Sequence, residues 1–204
     1  VYLDGSYRRD WYRAFRQFKD RGTPEDYGYF GFGANAIVSN LVQLPEWFNY
    51  LKYRASYSEV GNSIPGIVYA GATRNFETGA LVPSSWATFK NPRPEKTASF
   101  ETGIEALFLN NRLSFDLTYY NSTMSNLYLV GTNASGKSIP MNSAKIRNQG
   151  IEATVGYDFK FGQLRWKTSY NLSYNDNKIL RTAYDEETGK ENVIATYVGG
   201  VQVL

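Results

Sequence analysis

Residues Leu164 to Asn175 read LRWKTSYNLSYN, and in them Leu164, Trp166, Tyr170, Leu172 and Tyr174 alternate with Arg165, Lys167, Ser169, Asn171 and Asn175. Successive side chains of an extended chain point to opposite faces, so a period of two gives a strand with one apolar, ring-rich face and one polar face. A helix would scatter the same residues around its circumference. The pattern recurs upstream. In Leu51 to Ser58, Leu51, Tyr53, Ala55 and Tyr57 interleave with Lys52, Arg54, Ser56 and Ser58. In Leu113 to Tyr120, Leu113, Phe115, Leu117 and Tyr119 oppose Ser114, Asp116, Thr118 and Tyr120. In Ile151 to Lys160, Ile151, Ala153, Val155, Tyr157 and Phe159 oppose Glu152, Thr154, Asp158 and Lys160. Less regular strands are expected at Val1 to Arg8, Tyr29 to Ser39 and Ala98 to Leu109, where Phe100, Ile104 and Phe108 oppose Ser99, Glu101 and Glu105. This makes about seven strands of roughly 8 to 12 residues, the length a tilted strand needs to cross a bilayer and longer than the average strand of a soluble sandwich. The fold class expected is all-β, a transmembrane antiparallel β-barrel of which this chain supplies about seven strands.

The expected connections alternate in length. Long, polar, Gly-rich stretches follow Arg8, Ser58, Asn121 and Asn175, short ones sit at Asn110 to Arg112 and Lys160 to Gln163, and an intermediate one runs from Asn40 to Tyr50. The long ones all fall on one side, the asymmetry of outer-membrane barrels, whose periplasmic turns are short and extracellular loops long. An odd number of strands cannot close on itself, so further strands are expected to cover the open edges. No charged, then apolar, then small-residue leader opens the chain, which starts at Val1, so it reads as a processed product or an excised segment.

Composition narrows the function. Mean hydropathy is −0.45, and no apolar run approaches the roughly 20 residues of a membrane helix. Lys and Arg exceed Asp and Glu by three, too small a surplus for dense phosphate neutralisation, so no nucleic-acid partner is expected. With neither Cys nor His, thiolate and imidazole metal sites, Ser-His-Asp and Cys-His catalysis and disulfide scaffolds are excluded. The 17 Tyr are the unusual feature. Amphipathic rings gather at membrane–water interfaces and on carbohydrate-facing surfaces.

Two patterns suggest other chemistry. Gly131 to Ser138 (GTNASGKS) satisfies a phosphate-loop spacing in which Lys137 would meet phosphates and Ser138 a magnesium ion. Such a loop must open a helix, yet Ile139 and Pro140 follow at once, so no nucleotide partner is expected. Glu101 and Glu105 share a strand face, with Asp116 near across the Asn110 turn. Residues four apart on a strand are separated by roughly 13 Å, beyond the about 5 to 9.5 Å of a glycosidase pair. Solvated charges on the polar face are the expected reading, with no catalytic residues and no cofactor.

Several stretches together carry a family resemblance. Tyr7 to Phe15 (YRRDWYRAF), Leu51 to Asn62 (LKYRASYSEVGN), Pro94 to Leu127 (PEKTASFETGIEALFLNNRLSFDLTYYNSTMSNL), Lys145 to Phe159 (KIRNQGIEATVGYDF) and Trp166 to Leu180 (WKTSYNLSYNDNKIL) resemble, in order, consecutive segments of the SusC/RagA family of TonB-linked outer-membrane transporters. Trp11 departs from the pattern, standing where the family loop usually has Gly. The resemblance implies that residues 1–204 are part of one TonB-dependent-receptor-type barrel domain, without its plug, its TonB-contacting segment or its remaining strands. It further implies import of oligosaccharides or peptides across the bacterial outer membrane, with a SusD-like lipoprotein and, through the missing N-terminal part, the TonB complex as partners. A passive pore, or a barrel scaffold for adhesion or secretion assembly, remains the alternative.

Two sets of candidate residues follow. Lys52, Arg54, Glu101, Glu105, Asp116, Glu152, Arg165 and Lys167 are expected to face the lumen, with Tyr53, Leu117, Val155 and Leu172 facing lipid. In the long loops, Trp11, Tyr12, Arg13, Tyr69, Asn75 and Trp86 are candidates for contact with substrate or lid, because aromatic faces stack on sugars and side chains while Arg and Asn donate hydrogen bonds. Packing of these rings among the loops is the competing expectation.

Overall fold

The computed structural model describes residues 1–21, 23–64, 72–74, 77, 81–83, 89, 92–132, 138–182, 184–185, 190–191, 196–198 and 201–203. Its elements in chain order are β1 (Tyr2–Trp11), the 3-10 helix η1 (Arg13–Arg21), β2 (Asp26–Ile37), η2 (Val38–Asn40), β3 (Phe48–Asn62), β4 (Ala72–Arg74), β5 (Leu81–Pro83), β6 (Glu95–Phe108), β7 (Leu113–Thr132), β8 (Ser138–Phe161) and β9 (Leu164–Arg181). Four short strands follow, β10 (Tyr184–Asp185), β11 (Lys190–Glu191), β12 (Thr196–Val198) and β13 (Val201–Val203). Seven strands form one antiparallel sheet in the order β1-β2-β3-β6-β7-β8-β9, while β4-β5, β10-β11 and β12-β13 are separate two-stranded pairs. Each strand of the large sheet thus pairs with the sheet strands before and after it, as expected of an up-and-down meander, with the β4-β5 pair inserted between β3 and β6, and the sheet is open at β1 and β9. Among the described residues no helix is long and apolar enough to cross a membrane.

Register carries the alternation across the sheet. One rung of directly opposed residues runs Ala36, Tyr53, Ile104, Leu117, Ala153, Leu172, and the adjacent rung runs Asn35, Arg54, Gly103, Thr118, Glu152, Ser173. Neighbouring rungs point to opposite faces, so the apolar set and the charged set are segregated over six strands.

Strand lengths depart from the sequence expectation. β7 has 20 residues and β8 has 24, against roughly 8 to 12 expected. The long loop expected after Asn121 is instead a hairpin whose arms pair through Thr132↔Ser138, with register shifts between Met124 and Tyr128. Gly131, Pro140, Asn142 and Ser143 read as turn residues, yet pairing propagates through them from the sheet below. Leu127, Leu129 and Ala144 form a small buried cluster on this extension, flanked by Met141 and Ile146. Because Ser138 opens a strand, the phosphate-loop motif is not followed by a helix. Its Asn133 to Lys137 portion lies outside the described residues.

If the extension is paired strand, amides of 127–131, 139 and 141–146 in the receptor carrying this chain will exchange about as slowly as those of 113–119. Complete deuteration of both arms at the earliest time point would return this stretch to a loop.

Candidate functional site

The two faces of the sheet differ in kind. On the apolar one, the last large apolar side chain before the first small or polar position toward the long-connection end is Tyr7 on β1, Phe30 on β2, Tyr57 on β3, Phe100 on β6, Tyr119 on β7, Ile151 on β8 and Tyr174 on β9, with Trp11 standing beyond Arg9 on the same face of β1. The next same-face positions include Arg9, Glu59, Asn121, Gln149 and Asp176. The boundary does not follow one rung. Tyr119, Ile151 and Tyr174 share a rung, Tyr57 and Phe100 share the next, and Tyr7 pairs with Phe30 beyond that. A level boundary crossing inclined strands climbs the rungs in this way.

At the short-turn end Trp47, Phe48 and Phe108 stack, with Phe48 and Phe108 centroids 4.5 Å apart, and Tyr157 packs on Phe159 at 4.3 Å. From Leu164 to Tyr174 is about 33 Å along the strand and, at a tilt of about 40°, about 25 Å of height. That equals the apolar band of an outer-membrane barrel. Between the two ring levels Leu172 is 69% exposed and Tyr53 44%. Soluble proteins rarely leave such residues contiguous and open to water.

The opposite face carries all eight expected charged residues. Its centre is Arg54, which donates from Nη1 to Asp116 Oδ2 at 3.0 Å, from Nη2 to Asp116 Oδ1 at 2.8 Å, and from Nη2 to Thr118 Oγ1 at 2.6 Å. This bidentate pair spans two strand spacings because Gly103 lies between. A Cβ at Gly103 would sit 3.1 Å from the guanidinium carbon and 2.7 Å from the Leu117 carbonyl oxygen. Tyr120 likewise crosses Gly150 to donate to Asn175 Oδ1 at 3.2 Å. Lys52 pairs with Glu105 at 3.6 Å, and Glu105 directly opposes Asp116. Thr154 donates to Asn171 Oδ1 at 2.8 Å. Nearer the short turns Arg165 forks onto Asp158, with Lys167 4.0 Å from the same carboxylate. The side chains of Glu101 and Glu152 make no hydrogen bond or ion pair among the described residues, and Glu101 opposes Ser56 and Tyr120. With Asp116 held by Arg54 and Glu105 by Lys52, these carboxylates form a charge network, not an acid–base pair.

The loop candidates separate. Tyr12 faces inward: its ring meets Phe15 and Tyr27, and its hydroxyl lies 2.9 Å from that of Tyr29. Burial pushes the Tyr12 phenol up from its ordinary value, and the carboxylate of Asp10 adds to this. Phe15 and Phe18 of η1 are buried against Ile64 and Phe89, so the β1–β2 and β3–β6 connections share one small core. Trp11 is 66% exposed beneath the Arg9 guanidinium, and Arg13 is exposed. Tyr69, Asn75 and Trp86 lie outside the described residues.

The protein family described as "TonB dependent receptor-like, beta-barrel" matches residues 1–200. The chain belongs to this family. Two Formosa agariphila proteins are similar to it. TonB-dependent receptor P26 is 29% identical over 181 residues, covering 80% of this chain and 18% of that protein, and TonB-dependent receptor P39 is 25% identical over 205 residues, covering 92% and 19%. Among solved structures, the RagAB peptide importer in the "open-open" state matches with a TM-score of 0.71 and 22% identity over 89% of this chain and 20% of the other. The RagAB peptide transporter matches at 0.67 and 21%, over 87% and 20%. These structural likenesses concern the fold. The receptor chain spans about a fifth of the length of the relatives it matches.

Spacing alone does not single out Thr118, Asp158 or Gly103 of this receptor chain. The parity of Leu113 to Tyr120 puts Thr118 on the charged face, and register then brings it to Arg54. In urea denaturation of the membrane-inserted receptor, an Arg54→Ala, Asp116→Ala double-mutant cycle should give a coupling of about 1 kcal/mol, since both groups keep access to water. A coupling of zero would mean that the fork contributes nothing.

Proposed function

We propose that this chain is a section of the barrel wall of an outer-membrane receptor of the SusC/RagA type, which as a whole imports peptides or oligosaccharides with energy supplied through TonB. One observation carries the reading. A seven-stranded meander presents a ring-bounded apolar band about as tall as the outer-membrane core on one face, and hydrogen-bonded charges on the other. In this reading the band meets lipid, and Lys52, Arg54, Glu101, Glu105, Asp116, Glu152, Arg165 and Lys167 line the lumen. Charges of both signs suit peptide backbones, termini and sugar hydroxyls alike. The resemblance of the sequence to SusC/RagA proteins supports a SusD-like lipoprotein as partner. The ends with long connections are then extracellular, where exposed Trp11 and Arg13, on either side of the inward-turned Tyr12, suit contact with that lipoprotein or with substrate. The reading involves no enzymatic step.

Lipid exposure is tested by charge insertion. Val155→Arg, four residues below Ile151 and so near the middle of the band, should cost about 2 to 4 kcal/mol and lower barrel assembly, whereas Ser56→Arg on the other face, opposite Glu101, should cost little. Equal tolerance of both would invert or abolish the assignment of faces.

Energy coupling is tested by uptake in cells producing the complete receptor: a protonophore should abolish substrate entry, and entry that persists would indicate a passive pore. Trp11→Ala with Arg13→Ala should reduce lipoprotein co-purification while the barrel still assembles. Unchanged co-purification and unchanged uptake would confine those loops to packing.

A further inference from the structure

At the short-turn end of the charged face, an excess of cations surrounds an open cavity. Arg112, Asp158 and Lys167 share a rung, since Asp158 opposes Lys167 and its backbone N–H donates to the Arg112 carbonyl oxygen at 2.9 Å. Two residues nearer the β8–β9 turn, on the same face, Lys160 directly opposes Arg165, and like charges so placed destabilise a sheet. The alternation that sets this face runs without a register shift from Ile146↔Ile179 to Phe161↔Leu164. Among the described residues Asp158 is the one carboxylate in the group, and the Arg165 fork reaches both of its oxygens. Lys167 lies 4.0 Å from the same carboxylate, while the side chains of Arg112 and Lys160 form no ion pair among the described residues. Four cations thus share one carboxylate, and all four are exposed to water.

The cavity has a volume of about 330 Å³ and is lined on this face by Arg112, Ser114, Gly156, Asp158, Lys167 and Ser169. Ser114, Gly156 and Ser169 share the rung that forms its floor. A Cβ at Gly156 would sit 2.5 Å from Ser114 Oγ, so glycine keeps the floor open. Sites for whole small molecules run from about 300 to 1,000 Å³, and one at the bottom of that range takes an end group or a side chain. Farther along the wall the free charges change sign. Arg54 and Lys52 are paired with Asp116 and Glu105, which leaves Glu101 and Glu152, and Glu152 stands six residues, about 20 Å, from Asp158. A carboxylate moving along this wall is repelled at one end and held at the other.

We propose that this cavity binds a carboxylate of an imported peptide, its terminus or an acidic side chain, at the inner end of the lumen. The inference rests on the reading that the charged face lines the lumen of an importer and that the short turns face the periplasm. The Arg112 guanidinium, the Lys167 ammonium and the Ser169 hydroxyl offer donors to both carboxylate oxygens, and a bound carboxylate offsets the repulsion among the cations. Neutral sugars bring no charge to the group, which favours a peptide as the occupant.

Calorimetric titration of the complete receptor in detergent at low salt provides the test, with triglutamate as the probe and trilysine as the comparison. Affinity for triglutamate should fall by about tenfold in Arg112→Gln with Lys167→Gln, an exposed ion pair being worth up to about fivefold. It should fall also in Gly156→Ala, which fills the floor without altering charge. It should stay at the wild-type level in Arg147→Gln with Lys178→Gln, the same loss of charge on the banded face. Asp158→Asn, which removes the shared carboxylate, should raise affinity, and this arm stands even where the double variant assembles poorly. Equal affinity in all variants, trilysine bound as tightly as triglutamate, or trigalacturonate bound more tightly than either, would overturn the site. A receptor that assembles as a heat-modifiable barrel in lipid yet ignores triglutamate defeats only this inference, whereas one that never enters lipid defeats the reading on which it rests.

Discussion

Backbone hydrogen bonding where water is absent is the constraint from which the rest of the structure follows. In hydrocarbon each unpaired N–H or C=O costs several kcal/mol, so a strand that crosses must be paired along its whole length. The ladders of this chain meet that demand, running without a shift from Leu113↔Tyr157 to Met124↔Ile146 and from Ile146↔Ile179 to Phe161↔Leu164. Once register is set, parity decides every side chain's environment, since a slip of one residue would carry Arg54 and Asp116 to the face of Tyr53 and Leu117. Register shifts appear where the band has ended, between Met124 and Tyr128 and beside Lys145, or at the turn below it, between Phe48 and Tyr50.

The charged face is organised by the same register. Arg54 reaches Asp116 because the intervening strand offers Gly103 at that rung, and Tyr120 reaches Asn175 because Gly150 does the same. Charges near solvent gain little energy individually. Their arrangement matters more for recognition, because a fork fixed at both oxygens of Asp116 is a defined surface, while Glu101 and Glu152 stay available.

Much of this was legible in the sequence, and what was not has a physical cause. Strands such as Leu51 to Ser58 declare themselves because one face meets an apolar medium and the other a polar one, so alternation is undiluted. Beyond Asn121 on β7 and before Gly150 on β8 apolar and polar residues no longer alternate, Leu127 to Val130 being a continuous apolar run among Ser, Asn and Gly, so the two-residue period vanishes and paired strand reads as loop. The identity of the charged residues was visible, but the contact of Arg54 with Asp116 and Thr118 was not, because it depends on pairing between segments 62 and 64 positions apart. The inward turn of Tyr12 was hidden likewise, since the core that receives Phe15 and Phe18 comes from Ile64 and Phe89 in a different connection.

The spacing of strands along the chain bears on the order in which the sheet can be built. Neighbours in the sheet are neighbours in sequence, so each hairpin can zip from its own turn, and most closures are local. Between β3 and β6, however, residues 63–94 intervene, 32 of them, against the four of 109–112 between β6 and β7. Three doublings of loop length raise the entropy of closure by about 1.8 kcal/mol. Biogenesis therefore has a natural pause. The β6–β9 meander can form as one unit and the β1–β3 meander as another, and their joining along the β3–β6 ladder is the nucleation-limited event.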